Sequence, residues 1–223
     1  MLNKLEFTDN NIAKYLQIVK KEYRLLDPGS YLYIELLKTK DINKKFTKKY
    51  IELIYVTLSA WNMNSRGAQL EDFNVFLKKL EQNKKTIIKL SNYHINKITD
   101  KEADDVFVIL SDLYKNMKLT KTKTNIVTFS KTLHFLLPNL IVPMDRKYTL
   151  SYFYNSINLN QPWESEFNKY YFPIFKECIS FAKNKDLKKY IDKNINQTIP
   201  KIIDNIIIGY EKQKKKENKC KNY

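Results

Sequence analysis

Lys131 and Asp145 are the two residues of this chain whose types and spacing suit covalent chemistry. Lys131 lies near the start of an apolar helix that is predicted to stop at Pro138, and Asp145 is placed to cap the next helix. The short apolar loop at 139–144 would turn the chain back, so we expect the amine and the carboxylate to face each other. A lysine amine beside a carboxylate in a partly dry cleft can lose its proton and act as a nucleophile. The sequence therefore predicts a shared site for the two side chains.

The same residues have plainer interpretations that the sequence leaves open. Lys131 can be an exposed helix lysine, and Asp145 can cap its helix without taking part in any reaction. His134 lies one turn after Lys131 on the same helix face, where it either contacts a substrate or is a hydrogen-bonded core histidine. Arg146 follows the cap and is either a phosphate ligand or a surface residue.

The charge of the chain favours a polyanionic partner. Lys and Arg number 40 against 24 Asp and Glu, which gives a net charge of +16 in 223 residues. Nucleic acid is the usual partner of such a surplus, and we expect DNA rather than RNA. Only three basic residues are arginine, whose planar fork suits base edges, so the charge indicates backbone contact rather than sequence reading. A Lys-, Asn- and Ile-rich composition also arises in an AT-rich genome without selection for binding.

The composition argues against several other classes of protein. Only 3 glycines argue against a glycine-rich phosphate loop. Two cysteines, Cys178 and Cys220, and two histidines argue against a disulfide framework and a zinc site, so no metal and no cofactor are expected. No run approaches the ~18–20 apolar residues of a membrane span, and residues 1–6 do not read as a signal peptide. The expectation is an intracellular protein, cytoplasmic or nucleoid-associated, without a membrane partner.

The elements that must position Lys131 and Asp145 are helices. Apolar residues recur with the helical period, so we predict an all-α fold of about ten helices in a compact globular array. One domain is expected over residues 1–211, with two helical subdomains around a cleft as an alternative, and a frayed basic tail over 212–223. The first predicted helix begins at Thr8 or Asp9 and ends at 27–29. The pattern places further helices at 31–37, 46–61, 70–80, 105–117, 126–137, 145–153 and 164–183, and the last of these is expected to break near Pro173. A final helix is predicted from 198 to beyond 210.

The segment from Lys131 to Asp145 resembles part of the helix-hairpin-helix DNA glycosylase superfamily that includes the 8-oxoguanine glycosylases. In that family a catalytic lysine at the head of a helix is followed by a Val-Pro-Val-Asp-like sequence whose aspartate opens the next helix. Here Lys131 and the sequence Val-Pro-Met-Asp at 142–145 occupy those places. The resemblance implies an all-α fold and base flipping, with Lys131 attacking the sugar C1′ to give a Schiff base. It also implies that Asp145 stabilises the sugar cation and assists proton transfer.

The chain departs from the family just before the lysine. The family carries a Gly-x-Gly hairpin whose backbone N–H groups approach DNA phosphates, whereas residues 119–125 of this chain contain no glycine. We expect Lys121 and Lys123 to bind phosphate through their side chains instead. The dipole of the helix that opens near Ile126 would add to this anion site.

A loop after the helix at 46–61 is a further candidate for nucleic-acid contact. Asn64, Ser65 and Arg66 are good hydrogen-bond donors for a base edge or a phosphate. A plain helix-ending loop is the alternative interpretation of the same residues.

Three functions remain open from the sequence. The first is a base-excision DNA glycosylase/lyase that uses Lys131 and Asp145, with His134 and Arg146 as nucleic-acid contacts. The second is a non-catalytic nucleic-acid-binding protein of the same fold. The third is an all-α interaction protein whose charge is compositional.

Overall fold

The computed structural model describes residues 2–24, 27–63, 69–156 and 162–220. Over these residues the chain forms ten helices and no strand, which confirms the all-α prediction. None of the described helices is long and apolar enough to span a membrane. The helices are α1 (Asp9–Glu22), α2 (Pro28–Lys38), α3 (Lys48–Ala60), α4 (Phe73–Gln82), α5 (Lys84–Leu90), α6 (Asp100–Asn116), α7 (Ile126–Leu136), α8 (Arg146–Leu150 and Ser151–Tyr154), α9 (Trp163–Glu166, Phe167–Tyr171 and Phe172–Asn184) and α10 (Ile199–Cys220), with 3₁₀ turns at Lys44–Phe46 and Lys188–Tyr190.

Local capping signals explain where the first helices begin. Thr8 caps α1, which settles the choice that the sequence left open between Thr8 and Asp9, and Asn11 completes a capping box. The prediction that residues 27–29 end this helix is wrong, because they start α2 instead. Asp27 accepts a hydrogen bond from the Ser30 N–H at 2.9 Å, and Pro28 occupies the first turn, where its missing N–H costs nothing.

The long helix α9 changes its winding next to Pro173, in agreement with the predicted break. Its middle part, Phe167–Tyr171, is a π-helical turn, and Pro173 falls in the first turn of the α-helical part that follows. A proline at this position lacks the N–H that would donate a hydrogen bond to the preceding turn. The wider π-helical turn accommodates this missing hydrogen bond without ending the helix.

Helix α10 extends to Cys220, so the prediction of a frayed tail is wrong for residues 212–220. Contacts with two other helices hold the beginning of this Lys-rich segment. Glu211 is buried and accepts a hydrogen bond from Ser151 Oγ at 3.0 Å, and Lys212 forms an ion pair with Glu22 of α1. These tertiary contacts stabilise the helix beyond residue 211. The Lys-rich composition of this segment would by itself favour a solvated, irregular chain.

Helix α7 is the central element of the fold. Every residue from Thr128 to Leu136 is buried, and the helix packs against α2 and α3. The buried Lys45 donates to the backbone oxygens of Phe135 and Leu136, at 3.0 Å each, and so caps the end of α7. Burial lowers the pKa of Lys45 to about 8. Most buried polar groups have partners inside a protein, and Ser130 and His134 of this helix have them, whereas the buried Thr132 hydroxyl has none among the described residues.

The crossing of α1 and α10 leads to a stability prediction. A Cβ atom at Gly209 would lie 2.7 Å from the carbonyl carbon of Tyr15 and 2.8 Å from its Cα, and this obstacle is backbone. We expect Gly209→Ala to lower the free energy of unfolding by about 2–3 kcal/mol, because the two helices must move apart. Chemical denaturation measures the change. Helix propensity alone favours alanine over glycine by about 1 kcal/mol. A denaturation midpoint that is unchanged or higher in the variant would therefore contradict a tight crossing of α1 and α10.

Candidate active site

Lys131 and Asp145 form an ion pair, as their spacing predicts. Lys131 Nζ lies 3.5 Å from Asp145 Oδ2. The side chain of Lys131 is 11% exposed and that of Asp145 is 33% exposed, so the pair lies where the core meets solvent. This burial rules out the alternative of an exposed helix lysine. At 3.5 Å the amine and the carboxylate are slightly too far apart for a direct hydrogen bond, but a proton can pass between them through one water molecule.

Asp145 uses its two carboxylate oxygens for different purposes. Oδ1 accepts hydrogen bonds from the N–H groups of Lys147 at 2.7 Å and Tyr148 at 3.2 Å, which caps α8. Oδ2 is the oxygen nearest to Lys131. The Asp145 N–H donates to Thr149 Oγ1 at 3.0 Å, so the residue is anchored from both its backbone and its side chain. Capping and pairing therefore occur together, and the cap fixes the direction of the carboxylate.

A second ion pair lies beside the first. Lys201 Nζ is 2.6 Å from Asp204 Oδ2, and both side chains, on α10, are largely shielded from solvent. The Nζ atoms of Lys131 and Lys201 lie 5.2 and 6.0 Å from the ring centroid of Trp61, so one indole contacts two cations. Burial raises the pKa of Asp204, while the charges of Lys201 and Lys131 oppose the rise and that of Asp145 adds to it. The four charged groups thus act on one another.

The sequence reasoning missed Lys201 and Asp204. The local pattern carried no signal for them, because Lys201 and Asp204 lie on the helix face opposite the apolar stripe of Ile199, Ile202, Ile203, Ile206 and Ile207. Charged residues on that face of an amphipathic helix are normally in contact with solvent, so their burial could not be predicted from their positions.

Two cavities adjoin where Trp61 and Tyr148 line both of them. The first, named here the lysine cavity, has a volume of about 340 Å³ and is also lined by Lys131, Asp145 and Arg146. The second, named the aromatic cavity, has a volume of about 280 Å³ and lies against α1, α2 and α10. The ion pair of Lys131 and Asp145 thus borders an open space that a substrate can enter.

The predicted anion site at the start of α7 is occupied by the protein itself. Glu166 Oε2 accepts hydrogen bonds from the N–H groups of Asn125 at 2.8 Å and Ile126 at 3.2 Å, and from the Tyr114 hydroxyl at 2.5 Å. Burial raises the pKa of Glu166, and these donors oppose that rise. The prediction that this helix terminus binds phosphate is therefore wrong, because a buried carboxylate already takes its amides.

The two lysines of the preceding segment lie away from both cavities. Lys121 Nζ pairs with Asp72 Oδ1 at 2.7 Å on the surface, and Lys123 is exposed. Neither residue lines the lysine cavity or the aromatic cavity. They can contact a polyanion only outside the site that contains Lys131.

His134 is a core residue, so the prediction that it contacts nucleic acid is wrong and the alternative interpretation is correct. Its Nδ1 lies 2.6 Å from the Ile141 carbonyl oxygen, which can only accept, so Nδ1 carries the hydrogen. Nε2 then accepts from the Tyr33 hydroxyl at 2.9 Å. Complete burial lowers the pKa of His134 to about 3, because no solvent stabilises the imidazolium.

Of the remaining predicted contacts, the structure describes only Arg146. The Arg146 guanidinium donates to Thr124 Oγ1 and lines this cavity, so it is more than a surface residue. Asn64, Ser65 and Arg66 lie outside the described residues.

No protein-family model, no curated protein and no solved structure matches this chain. Function must therefore be inferred from the geometry of the site itself.

Proposed function

We propose that this protein is a base-excision DNA glycosylase with lyase activity that acts on a flipped base through Lys131 and Asp145. The observation that carries the proposal is the 3.5 Å contact between Lys131 Nζ and Asp145 Oδ2 at the edge of the lysine cavity. The net charge of +16 supports a partner with a polyanionic backbone.

Lys131 supplies the nucleophile in this proposal. Asp145 Oδ2 accepts a proton from the ammonium, and the freed lone pair on Nζ forms a bond to the sugar C1′. The glycosidic C1′–N bond breaks, its electron pair leaves with the base, and the base takes up a proton from solvent. Asp145 passes the proton that it has accepted on to solvent, so its carboxylate is charged again and stabilises the positive charge that develops on the sugar while the base departs. Nζ then gives up a second proton, O4′ takes up a proton, and the C1′–O4′ bond breaks to leave a protonated Schiff base between C1′ and Nζ.

The surroundings of the ion pair suit an extruded nucleotide. Trp61 and Tyr148 offer aromatic surfaces on which a base can stack. The Tyr148 ring has the Nζ atoms of Lys147 at 5.2 Å and Lys215 at 5.4 Å from its centroid, so cations gather beside the cavity. With Arg146, these cations are suited to hold the phosphates that flank the extruded base.

Borohydride trapping tests the proposal. The wild-type protein is incubated with duplexes that carry 8-oxoguanine, uracil or an abasic site, and borohydride reduces any Schiff base to a stable adduct. We expect an adduct on at least one of these duplexes. DNA affinity is measured in parallel and should fall steeply with salt. Neither an adduct nor binding would favour an all-α interaction protein.

A non-catalytic nucleic-acid-binding protein is the second candidate. The observation that favours it is the 3.5 Å separation of Lys131 Nζ from Asp145 Oδ2, because the carboxylate makes no hydrogen bond to the amine that it would have to deprotonate. Salt-sensitive binding without any adduct on the three duplexes would support this candidate over the enzyme.

Asp145→Asn separates the cap from the chemistry. Asparagine also caps helices well, so the fold should be retained. It cannot accept the proton of Lys131, and we expect adduct formation to slow about 10²-fold in single-turnover experiments. Asp72→Asn, which changes an exposed carboxylate paired with Lys121, is the matched control and should react like wild type. An unchanged rate in Asp145→Asn would remove its carboxylate from the mechanism.

A further inference from the structure

The aromatic cavity is separate from the residues to which the reaction is assigned. It shares Trp61 and Tyr148 with the lysine cavity, but neither Lys131 nor Asp145 lines it. We propose that the aromatic cavity receives the extruded base and selects a base that has a ring carbonyl next to a ring N–H. This inference rests on the proposed function, with the sugar in the lysine cavity and the base in the adjoining one.

The walls of the aromatic cavity suit a flat ring. Tyr33 and Trp61 lie with ring centroids 5.9 Å apart and planes at 32°, and Val19, Ile34 and Ile208 add branched apolar surface. Small-molecule sites are mostly apolar, with a few polar groups that fix the orientation of the ligand. A cavity of about 280 Å³ with such walls has room for a single heterocycle.

Two polar side chains of α10 lie one turn apart and face this cavity. Lys201 can only donate hydrogen bonds, and its ammonium retains donors beyond the one given to Asp204. Asn205 Nδ2 donates to the Ile195 carbonyl oxygen at 3.3 Å and to Asn196 Oδ1 at 2.8 Å, which uses both of its N–H groups. Asn205 therefore offers a ligand only its Oδ1, which is an acceptor.

A donor and an acceptor one helical turn apart on the cavity wall match one kind of base edge, because the sugar in the lysine cavity fixes the orientation of the base. A ring carbonyl accepts from Lys201, and the neighbouring ring N–H donates to Asn205 Oδ1. Guanine, hypoxanthine, uracil and thymine carry this pair of groups. Adenine carries the pair in the reverse order, with an amino group in place of the carbonyl and an acceptor at the neighbouring ring nitrogen. In the same orientation it would set donor against donor at Lys201 and acceptor against acceptor at Asn205, and so lose affinity.

Tyr23 supplies independent support for a ligand in this cavity. It lines the aromatic cavity, and its buried hydroxyl has no hydrogen-bond partner among the described residues. Buried polar groups are normally paired, so an unused hydroxyl beside a cavity indicates a partner that binds from outside.

Fluorescence of Trp61 tests the proposal without any bond cleavage. The chain has 2 tryptophans, so Trp163→Phe leaves Trp61 as the only reporter. Free deoxyguanosine, deoxyuridine and deoxyadenosine are titrated into this variant. We expect saturable quenching by the first two and about tenfold weaker binding of deoxyadenosine, which corresponds to the loss of one hydrogen bond.

Variants in the same background identify the groups that read the base. Lys201→Met combined with Asp204→Asn removes both charges, leaves no unpaired buried carboxylate, and should abolish the preference for carbonyl-bearing nucleosides. Ile208→Phe fills part of the aromatic cavity and should weaken the binding of all three nucleosides. Lys89→Met changes an exposed lysine that lines neither cavity and should have no effect.

The outcomes of this test are independent of the trapping experiment. Equal binding of the three nucleosides, or no quenching at all, would overturn the inference, and so would a preference that survives the loss of Lys201. An adduct on damaged duplex without selective nucleoside binding would refute the base-reading cavity and leave the proposed function in place. Selective binding without any adduct would support the cavity and count against the glycosylase.

Discussion

Lys131→Gln should abolish the borohydride-trapped adduct on every duplex that traps the wild-type protein. The amide nitrogen of glutamine has no nucleophilic lone pair, so no Schiff base can form at this position. We expect the rate of adduct formation to fall on the order of 10³-fold or more, as for the loss of an enzyme's nucleophile. Single-turnover trapping followed by gel electrophoresis measures the loss.

The fold and the DNA affinity should survive this substitution. Asp145 is 33% exposed and keeps its bonds to the N–H groups of Lys147 and Tyr148, so it does not become a buried, unpaired charge. The change removes one cation from the site, and we expect the salt dependence of binding to remain almost the same.

Lys89→Gln is the matched control for Lys131→Gln. Lys89 is exposed and lines neither cavity, and its substitution should leave the adduct intact. An adduct that persists in Lys131→Gln would contradict the assignment. If that adduct disappears when Lys201→Gln is added, the nucleophile is Lys201, whose amine also contacts Trp61.

The second large effect is on stability in acid and comes from His134. Its pKa is about 3 in the folded protein, below the ordinary value of 6.5, because burial disfavours the imidazolium. The unfolded chain therefore binds a proton at a higher pH than the folded one does. The stability that His134 contributes is complete above pH ~6.5 and is lost progressively as the pH falls towards ~3. We expect this one group to lower the free energy of unfolding by on the order of 4 kcal/mol across that interval.

His134→Gln isolates this contribution, because glutamine does not titrate and retains a donor and an acceptor. The variant should be less stable than wild type at neutral pH, and the difference should shrink as the pH falls from ~6.5 to ~3. Urea denaturation at several pH values measures both curves. The control is His94→Gln at the exposed second histidine, which should follow the wild-type curve. Parallel curves for wild type and His134→Gln would show that His134 does not titrate as its burial requires.

Local signals in the sequence were sufficient to predict nine of the ten described helices and the principal ion pair, whereas the short helix α5 was not predicted. Apolar residues that recur with the helical period indicate that the segment carrying them forms a helix. Thr8 and Asp145 cap their helices through hydrogen bonds to residues two or three positions away. The approach of Lys131 to Asp145 was predictable because only a short loop connects their helices. These features depend on short-range geometry, which the sequence determines directly.

Long-range contacts decided the rest of the site. Glu166 reaches the start of α7 from 41 residues away, and nothing near Ile126 in the sequence indicates that its amide is already bonded. Lys201 comes beside Trp61, 140 residues earlier in the chain, only through the tertiary packing that positions α10. Helix α7 contains five polar residues, all of them buried, so its sequence pattern cannot show that His134 is enclosed in the core while Lys131 reaches a cavity. The sequence determined which elements form, whereas the tertiary structure decided which faces meet, because packing joins residues that are distant along the chain.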